Sequence, residues 1–192
     1  MILDAEESFA RAVALGLWIK RPLTTWHFLL PGMFIFDNLR RNRAIKLYSA
    51  VFLYPRKTAL DAALKSMEGE GFQQGLAEAE EYIRQWLGSL KMYSEALLRA
   101  HMGLIAVLHD HYAKLLGEEE RDWASLLRKA YGTRGNYEVY LRRLADAEQE
   151  VDRSVADFRE QSQEIRERLQ AEQTQVAMLR EKEMDRIFSK EG

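Results

Sequence analysis

The strongest pattern in this sequence is a row of apolar residues that recur at alternating spacings of three and four between Leu76 and Val107. The row consists of Leu76, Ala79, Ile83, Trp86, Leu90, Tyr93, Leu97, Ala100, Leu104 and Val107. Such spacing is typical of the a and d positions of a heptad, which form one stripe along an α-helix. It predicts a single long helix over residues 72–116, about 67 Å long at 1.5 Å per residue, ending at Gly117.

A second heptad pattern, interrupted by polar residues, runs through the last third of the chain. In its best frame, nine of the fourteen a and d positions between Leu141 and Arg186 are apolar. This favours a coiled-coil seam in a second long helix over residues 136–188. Because a short helix over residues 118–131 and a turn join the two long helices, we expect them to pack antiparallel.

The three prolines, Pro22, Pro31 and Pro55, all lie in the first third of the chain. Proline lacks a backbone N–H and breaks the interior of a helix. It therefore predicts short N-terminal helices, one over residues 4–20 and another over about 34–53 that stops at Pro55. The predicted fold is all-α: a long antiparallel helical hairpin, coiled-coil-like in its packing, capped by short N-terminal helices.

A chain of 192 residues is expected to form one domain, and we divide it into three regions. Residues 1–57 form an apolar and basic N-terminal docking region. Residues 58–134 form a helical core that contains the long helix 72–116. Residues 135–192 form a long, coiled-coil-like C-terminal helix.

Residues 20–57 differ from the rest of the chain in charge and in aromatic content. They hold eight basic residues and one acid, Asp37, so they carry a formal charge of +7 although the whole chain carries −2. Two uncharged runs within them, 23–36 and 47–55, hold seven aromatic residues. Lys and Arg are attracted to anionic lipid headgroups by about 1 kcal/mol each, and Trp and Tyr favour the membrane interface.

We therefore expect residues 20–57 to dock, either to an anionic membrane surface or to an apolar protein partner. Aromatic side chains would insert and basic side chains would bind the headgroups. The predicted docking residues are Trp26, Phe28, Phe34 and Phe36 for insertion, and Arg40, Arg41, Arg43 and Lys46 for headgroup contact. The alternative is that Trp26 to Phe36 forms a hydrophobic plug at one end of the bundle, with the arginines on its solvated rim.

The sequence also disfavours several kinds of protein. No run reaches the roughly 18–20 apolar residues that span a bilayer, and the acidic start lacks the basic segment of a secretory signal. The absence of cysteine fits a reducing compartment, so we expect a cytoplasmic protein, peripheral on the inner face of the membrane. The acidic remainder of the chain argues against a nucleic-acid partner.

Three histidines, His101, His109 and His111, lie on one predicted helix. A His-Asp pair such as His109 and Asp110 can belong to a metal-dependent phosphohydrolase, and Glu95 shares a face with His109. However, His109 and His111 point about 200° apart on a helix, and the chain lacks the Glu-x-x-His motifs of di-iron bundles. A metal-dependent helical-bundle enzyme using these residues is the alternative function. The apolar row instead predicts that His111 is partly buried.

Three short motifs resemble a group of small uncharacterised bacterial helical proteins. They are Trp26-x-Phe28-Leu29-x-Pro31, the Leu-Tyr-Pro-Arg-Lys step at 53–57, and Tyr131-x-Thr133-Arg134-x-Asn136-Tyr137. That group has no assigned activity. In outline, apolar N-terminal helices before a long helical hairpin are also similar to the phage-shock and ESCRT-III-like membrane-remodelling proteins, although Pro31 and Gly32 interrupt the apolar stretch here.

The function we expect is therefore non-enzymatic. The protein would be a scaffold or adaptor that docks through its basic and aromatic N-terminal region and forms homo-oligomers through its helical hairpin. No cofactor, no metal and no small-molecule substrate is predicted.

Overall fold

The computed structural model describes residues 1–19, 33–69, 71–158 and 163–189. Within these ranges the chain forms seven α-helices and no strand, which confirms the predicted all-α fold. In chain order they are α1 (Ile2–Ile19), α2 (Met33–Glu68), α3 (Phe72–Ser89), α4 (Glu95–Leu116), α5 (Trp123–Tyr131), α6 (Arg134–Phe158) and α7 (Gln163–Phe188).

The single long helix predicted over residues 72–116 is wrong, because the chain breaks between α3 and α4. Lys91 has a φ of 56°, a left-handed conformation that ends a helix. Ser94 then starts the next one: its hydroxyl accepts a hydrogen bond from the backbone N–H of Leu97 at 3.1 Å. The apolar row continues across the break because both helices bury their apolar faces in the same core.

Pro55 lies inside α2 rather than at its end, so the predicted stop at Pro55 is also wrong. Proline has no N–H to give to the carbonyl of Val51 four residues earlier, and α2 continues past this one missing hydrogen bond. Arg56 donates to the carbonyl of Phe52 at 3.0 Å, and the hydroxyl of Thr58 donates to the carbonyl of Tyr54 at 3.0 Å. The region boundary placed after residue 57 therefore falls inside a continuous helix.

The last third of the chain is a helical hairpin and not the single helix predicted over residues 136–188. Arg180 of α7 donates to Glu148 of α6 at 2.7 Å, and Gln173 donates to Asp152 at 2.8 Å. As residue numbers rise along α6 they fall along α7, so the two helices run antiparallel. Glu148, one of the polar residues that interrupt the predicted heptad, pairs across this hairpin, whereas Glu172 and Glu183 accept hydrogen bonds from α2 and α5.

α4 and α6 also pack antiparallel, as expected for the partners of the predicted hairpin, although both are shorter. The rings of His111 and Tyr140 stack with centroids 4.2 Å apart, and Arg143 lies 3.2 Å from Asp110. This arrangement is compatible with the predicted hairpin, and its coiled-coil packing stays a prediction.

α1 packs in a groove between α2 and α7. Its Phe9 ring lies 6.1 Å from that of Phe52 in α2. On the α7 side, a Cβ added to Gly16 would lie 2.1 Å from Nε2 of Gln175, so only glycine fits this approach without displacing a buried side chain. The first helix is thus part of the packed bundle. The largest fully buried side chains of the core are Val13, Ile83, Leu87, Leu97, Ile105, Leu108, Tyr112, Leu115, Leu126, Leu127 and Ile187.

Replacing Ser94 with alanine tests the helix break. The variant loses the cap of α4, so we expect its free energy of unfolding to fall by about 1 kcal/mol in urea denaturation. Ser89→Ala is the control, since the Ser89 hydroxyl is exposed and donates only to the carbonyl of Trp86; its change should stay within about 0.5 kcal/mol. Equal losses in the two variants would contradict the assignment of Ser94 as the cap.

Candidate docking surface and internal cavity

The structure describes only part of the predicted docking region. Trp26 and Phe28 lie outside the described residues. Phe34, Phe36, Arg40 and Arg41 belong to the first turns of α2, and their side chains lie outside the described part of the structure. Arg43 and Lys46 are described, and both are exposed to solvent.

Apolar side chains stand beside these two cations on α2. Leu47 is 68% exposed and Val51 is 41% exposed. Because residues four apart lie on the same face of a helix, Arg43, Leu47 and Val51 form one row, with Lys46 next to it. We call Arg43, Lys46, Leu47 and Val51 the α2 docking face.

The docking face lies near one end of the bundle. α1 and α2 run antiparallel, since Glu6 contacts Arg56 while Phe9 contacts Phe52. The last turn of α1 and the first turns of α2 are therefore at the same end. α7 begins there too, because the hydroxyl of Tyr48 donates to Glu172 at 2.6 Å.

A buried ion network joins five helices at the centre of the bundle. Arg56, which is only 3% exposed, donates to Glu6 of α1 at 3.0 Å and to Glu148 of α6 at 2.7 Å. Arg180 of α7 donates twice to Glu148, at 2.7 and 2.8 Å. Tyr112 of α4 donates its hydroxyl to Glu6 at 2.8 Å. Arg56 is one of the eight basic residues of residues 20–57. Because it is buried in this network, it is not part of an exposed basic surface.

The charges of this network balance. Burial alone would raise the pKa of Glu148, but the charges and hydrogen bonds of Arg180 and Arg56 outweigh it and hold the pKa below its usual value. Burial would likewise lower the pKa of Arg56, and the charges of Glu6 and Glu148 outweigh it, so that pKa is raised. The network thus pairs two carboxyl groups, Glu6 and Glu148, with two guanidinium groups, Arg56 and Arg180.

Glu148→Gln tests this balance. The amide leaves two arginines buried with one carboxylate between them, so we expect a loss of about 3–5 kcal/mol in the free energy of unfolding. Glu150→Gln is the matched control on the same helix, because Glu150 is exposed and its one ion pair among the described residues is with Arg153. Its loss should stay below about 0.5 kcal/mol. A small effect of Glu148→Gln in urea denaturation would show that the network is not held together by this carboxylate.

A cavity of about 610 Å³ lies between α2, the α3–α4 junction, α6 and α7. Apolar side chains from all of these elements form most of its wall, among them Val51, Trp86, Leu97, Leu141 and Val155. The buried ion network forms another part of the wall. This size and this mostly apolar lining are typical of small-molecule sites.

Two other acids, Asp152 and Glu172, lie on the cavity wall. Unlike Glu148, they are not paired with an arginine among the described residues. Glu172 accepts a hydrogen bond from Tyr48, and Asp152 accepts one from Nε2 of Gln173 at 2.8 Å. No ion pair of the described residues involves Asp152 or Glu172. Burial raises the pKa of both carboxyl groups. The pKa of an acid ordinarily rises when the acid is removed from water and has no cation beside it, because the charged form loses its hydration.

The residues of the predicted metal site have separate partners. Nδ1 of His101 lies 2.9 Å from the carbonyl of Leu97, and Nε2 of His109 lies 3.0 Å from the hydroxyl of Ser66. Asp110 pairs with Arg143 on the surface, and Glu95 accepts from Tyr93. In the part of the chain that the structure describes, no three His, Asp or Glu residues are grouped to hold a metal ion. The metal-enzyme hypothesis stays a prediction.

His111 is more deeply buried than the sequence indicates, at the centre of an aromatic cluster. Its Nδ1 lies 2.7 Å from the hydroxyl oxygen of Tyr131, and its ring stacks on that of Tyr140. Burial, with a smaller contribution from the charge of Lys114, lowers the pKa of His111 to about 3. The imidazole is therefore neutral at neutral pH.

This shift predicts a specific loss of stability in acid. Between pH 6.5, the ordinary pKa of histidine, and about pH 3, the unfolded chain binds a proton at His111 that the folded chain does not. Stability therefore falls by about 1.4 kcal/mol per pH unit below 6.5, or about 2 kcal/mol between pH 7 and pH 5. Urea denaturation of the native chain and of His111→Gln should show this difference in slope. Parallel pH profiles would contradict it, since all other titrating groups are shared.

None of the helices in the described ranges is long and apolar enough to cross a membrane. Comparison with protein-family models, with curated proteins and with solved structures finds no match for this chain. The two resemblances noted from the sequence stay predictions, and function has to be inferred from the docking face and the cavity themselves.

Proposed function

We propose that this protein is a non-enzymatic scaffold or adaptor that docks to an anionic membrane surface through its basic and aromatic N-terminal region. The observation that carries the proposal is the α2 docking face, where Arg43 and Lys46 are exposed next to Leu47 and Val51. Exposed apolar side chains beside cations are the composition of a surface that sits at a lipid interface.

The burial of Arg56 narrows the set of cations that we propose to bind lipid headgroups. Arg56 is neutralised inside the bundle, and Lys57 lies 3.9 Å from Glu7 of α1. Arg56 therefore does not belong with the cations available for headgroups. The proposal therefore rests on the cluster Arg40, Arg41, Arg43 and Lys46, each of which would contribute about 1 kcal/mol near an anionic surface.

The aromatic residues of the proposal precede and begin α2. Trp26, Phe28, Phe34 and Phe36 are the residues we propose to insert among the lipids, next to the cations that bind the headgroups. Such a protein would act from the cytoplasm on the inner face of a membrane, where anionic lipids attract basic segments.

The second part of the proposal is homo-oligomerisation through the helical hairpin. On α6 and α7, the apolar side chains of Val139, Phe158 and Met178 are exposed. A second copy that covered them would remove this apolar surface from water. The bundle would then serve as the spacer between the membrane and whatever the scaffold holds.

The charge-reversing double variant Arg43→Glu/Lys46→Glu tests the membrane part. In flotation with vesicles that contain anionic phosphatidylserine, it should lose at least about 2 kcal/mol, or at least about 30-fold in partitioning, because the new acids also repel the headgroups. The matched control is Arg121→Glu/Lys182→Glu, which changes the net charge equally at exposed sites away from the docking face. It should bind within about twofold of the native chain.

Two results would remove the proposal. One is equal flotation of the native chain with anionic and with purely zwitterionic vesicles, since the headgroup charge would then be irrelevant. The other is an equal loss in the two double variants, since the effect would then follow net charge rather than the α2 docking face.

A further inference from the structure

We propose that the cavity between α2, the α3–α4 junction, α6 and α7 is a binding site for an amphiphilic organic cation, an ammonium group carried on an apolar body. The observation is that apolar walls surround a polar end formed by Asp152 and Glu172, two carboxylates with no cation partner among the described residues. Val51 belongs both to this cavity and to the α2 docking face, but Asp152 and Glu172, the acids that define the site, lie outside that face.

The apolar part of the cavity fits the body of such a ligand. Trp86 and Leu97 line it from α3 and α4, and Leu141 and Val155 line it from α6. With a volume of about 610 Å³, the cavity is within the range of sites that enclose small organic molecules. Burying an alkyl chain there would contribute about 0.8 kcal/mol per CH₂ group.

The polar part of the cavity favours a cation over an anion. The wall carries three guanidinium groups, Arg56, Arg142 and Arg180, against five carboxyl groups, Glu138, Glu148, Asp152, Glu172 and Glu181, so acids outnumber cations in the lining. Arg56 already donates to Glu6, to Glu148 and to the carbonyl of Phe52. Arg180 already donates to both oxygens of Glu148. An anionic ligand close to Arg56 and Arg180 would therefore also lie beside the carboxylate of Glu148, which both of them contact.

Asp152 and Glu172, by contrast, can still accept. Glu172 accepts from Tyr48 through Oε1, and Asp152 accepts from Gln173 through Oδ2. The second oxygen of each carboxylate has no hydrogen bond among the described residues. An ammonium group placed at this end would donate to these oxygens and supply the positive charge that the site lacks. The raised pKa of both groups agrees with this missing cation.

The cavity also has an entrance. Two of the residues that line it, Val51 and Leu90, are 41% and 40% exposed, so the lining reaches the surface of the bundle. A ligand could enter between α2 and the α3–α4 junction without the core unfolding.

Titration calorimetry with three ten-carbon probes tests the site: decylamine, decanoate and decanol, each kept below its micelle concentration. They share the apolar chain and differ in the charge of the head group. We expect decylamine to bind saturably with one site per chain, and decanoate and decanol to bind at least tenfold more weakly.

Variants locate the site. Asp152→Asn and Glu172→Gln should each weaken decylamine at least tenfold and leave the weak binding of decanol unchanged. Asp146→Asn is the matched control, because Asp146 is an exposed acid on α6 that does not line the cavity. It should leave the affinity for decylamine within about twofold. Circular dichroism shows that each variant is folded.

The proposal is overturned if decanoate binds as tightly as decylamine, or if decylamine gives no saturable heat with the native chain. Both results come from the native protein and do not depend on whether a variant folds. It is also overturned if folded Asp152→Asn and Glu172→Gln keep the native affinity for decylamine. Vesicle flotation plays no part in these outcomes, so failure here is distinguishable from failure of the docking proposal.

Discussion

Glu148 accepts hydrogen bonds from two arginines that reach it from different helices, and the arrangement of the bundle depends on this contact. Arg180 is held by both oxygens of the carboxylate, and Arg56 bridges from there to Glu6 on the first helix. A buried charge without a partner is costly, so each helix that contributes to the network is held at the one register where all the charges are paired. α1, α2, α6 and α7 are fixed in this way, and Tyr112 adds α4.

The same network accounts for the cavity beside it. Its two arginines pair with Glu6 and Glu148, and among the described residues neither donates a hydrogen bond to the acids farther along α6 and α7. Asp152 and Glu172 are half-buried, and among the described residues they accept hydrogen bonds from an amide and a phenol. The bundle has a neutral polar centre and, next to it, an apolar hollow with excess negative charge.

The sequence predicts the fold class well because apolar spacing reports helices directly. The sequence does not predict the features that depend on a single residue, such as where a helix ends or which charge is buried. The heptad row runs unbroken through residues 90–94, so the left-handed Lys91 and the cap at Ser94 leave no trace in it. Pro55 predicts a stop, but side-chain hydrogen bonds around its turn accompany a continuous α2. Arg56 counts as a surface cation in the sequence, because nothing local reveals that Glu6 and Glu148 enclose it. The cavity could not be predicted for the same reason: Asp152 and Glu172 are ordinary helix acids until the fold brings them together.

Charges in this chain are therefore of two kinds, and the distinction separates fold from function. The first kind consists of Glu6, Arg56, Glu148 and Arg180, which pair with one another and stabilise the helical bundle. Two other groups are not satisfied inside the described structure, and they differ in sign. The exposed cations of the α2 docking face would attract an anionic surface, whereas the half-buried acids of the cavity would attract a cation. Because the two sites have opposite charge and different burial, one partner cannot fit both, and we infer that surface docking and cavity binding involve different partners.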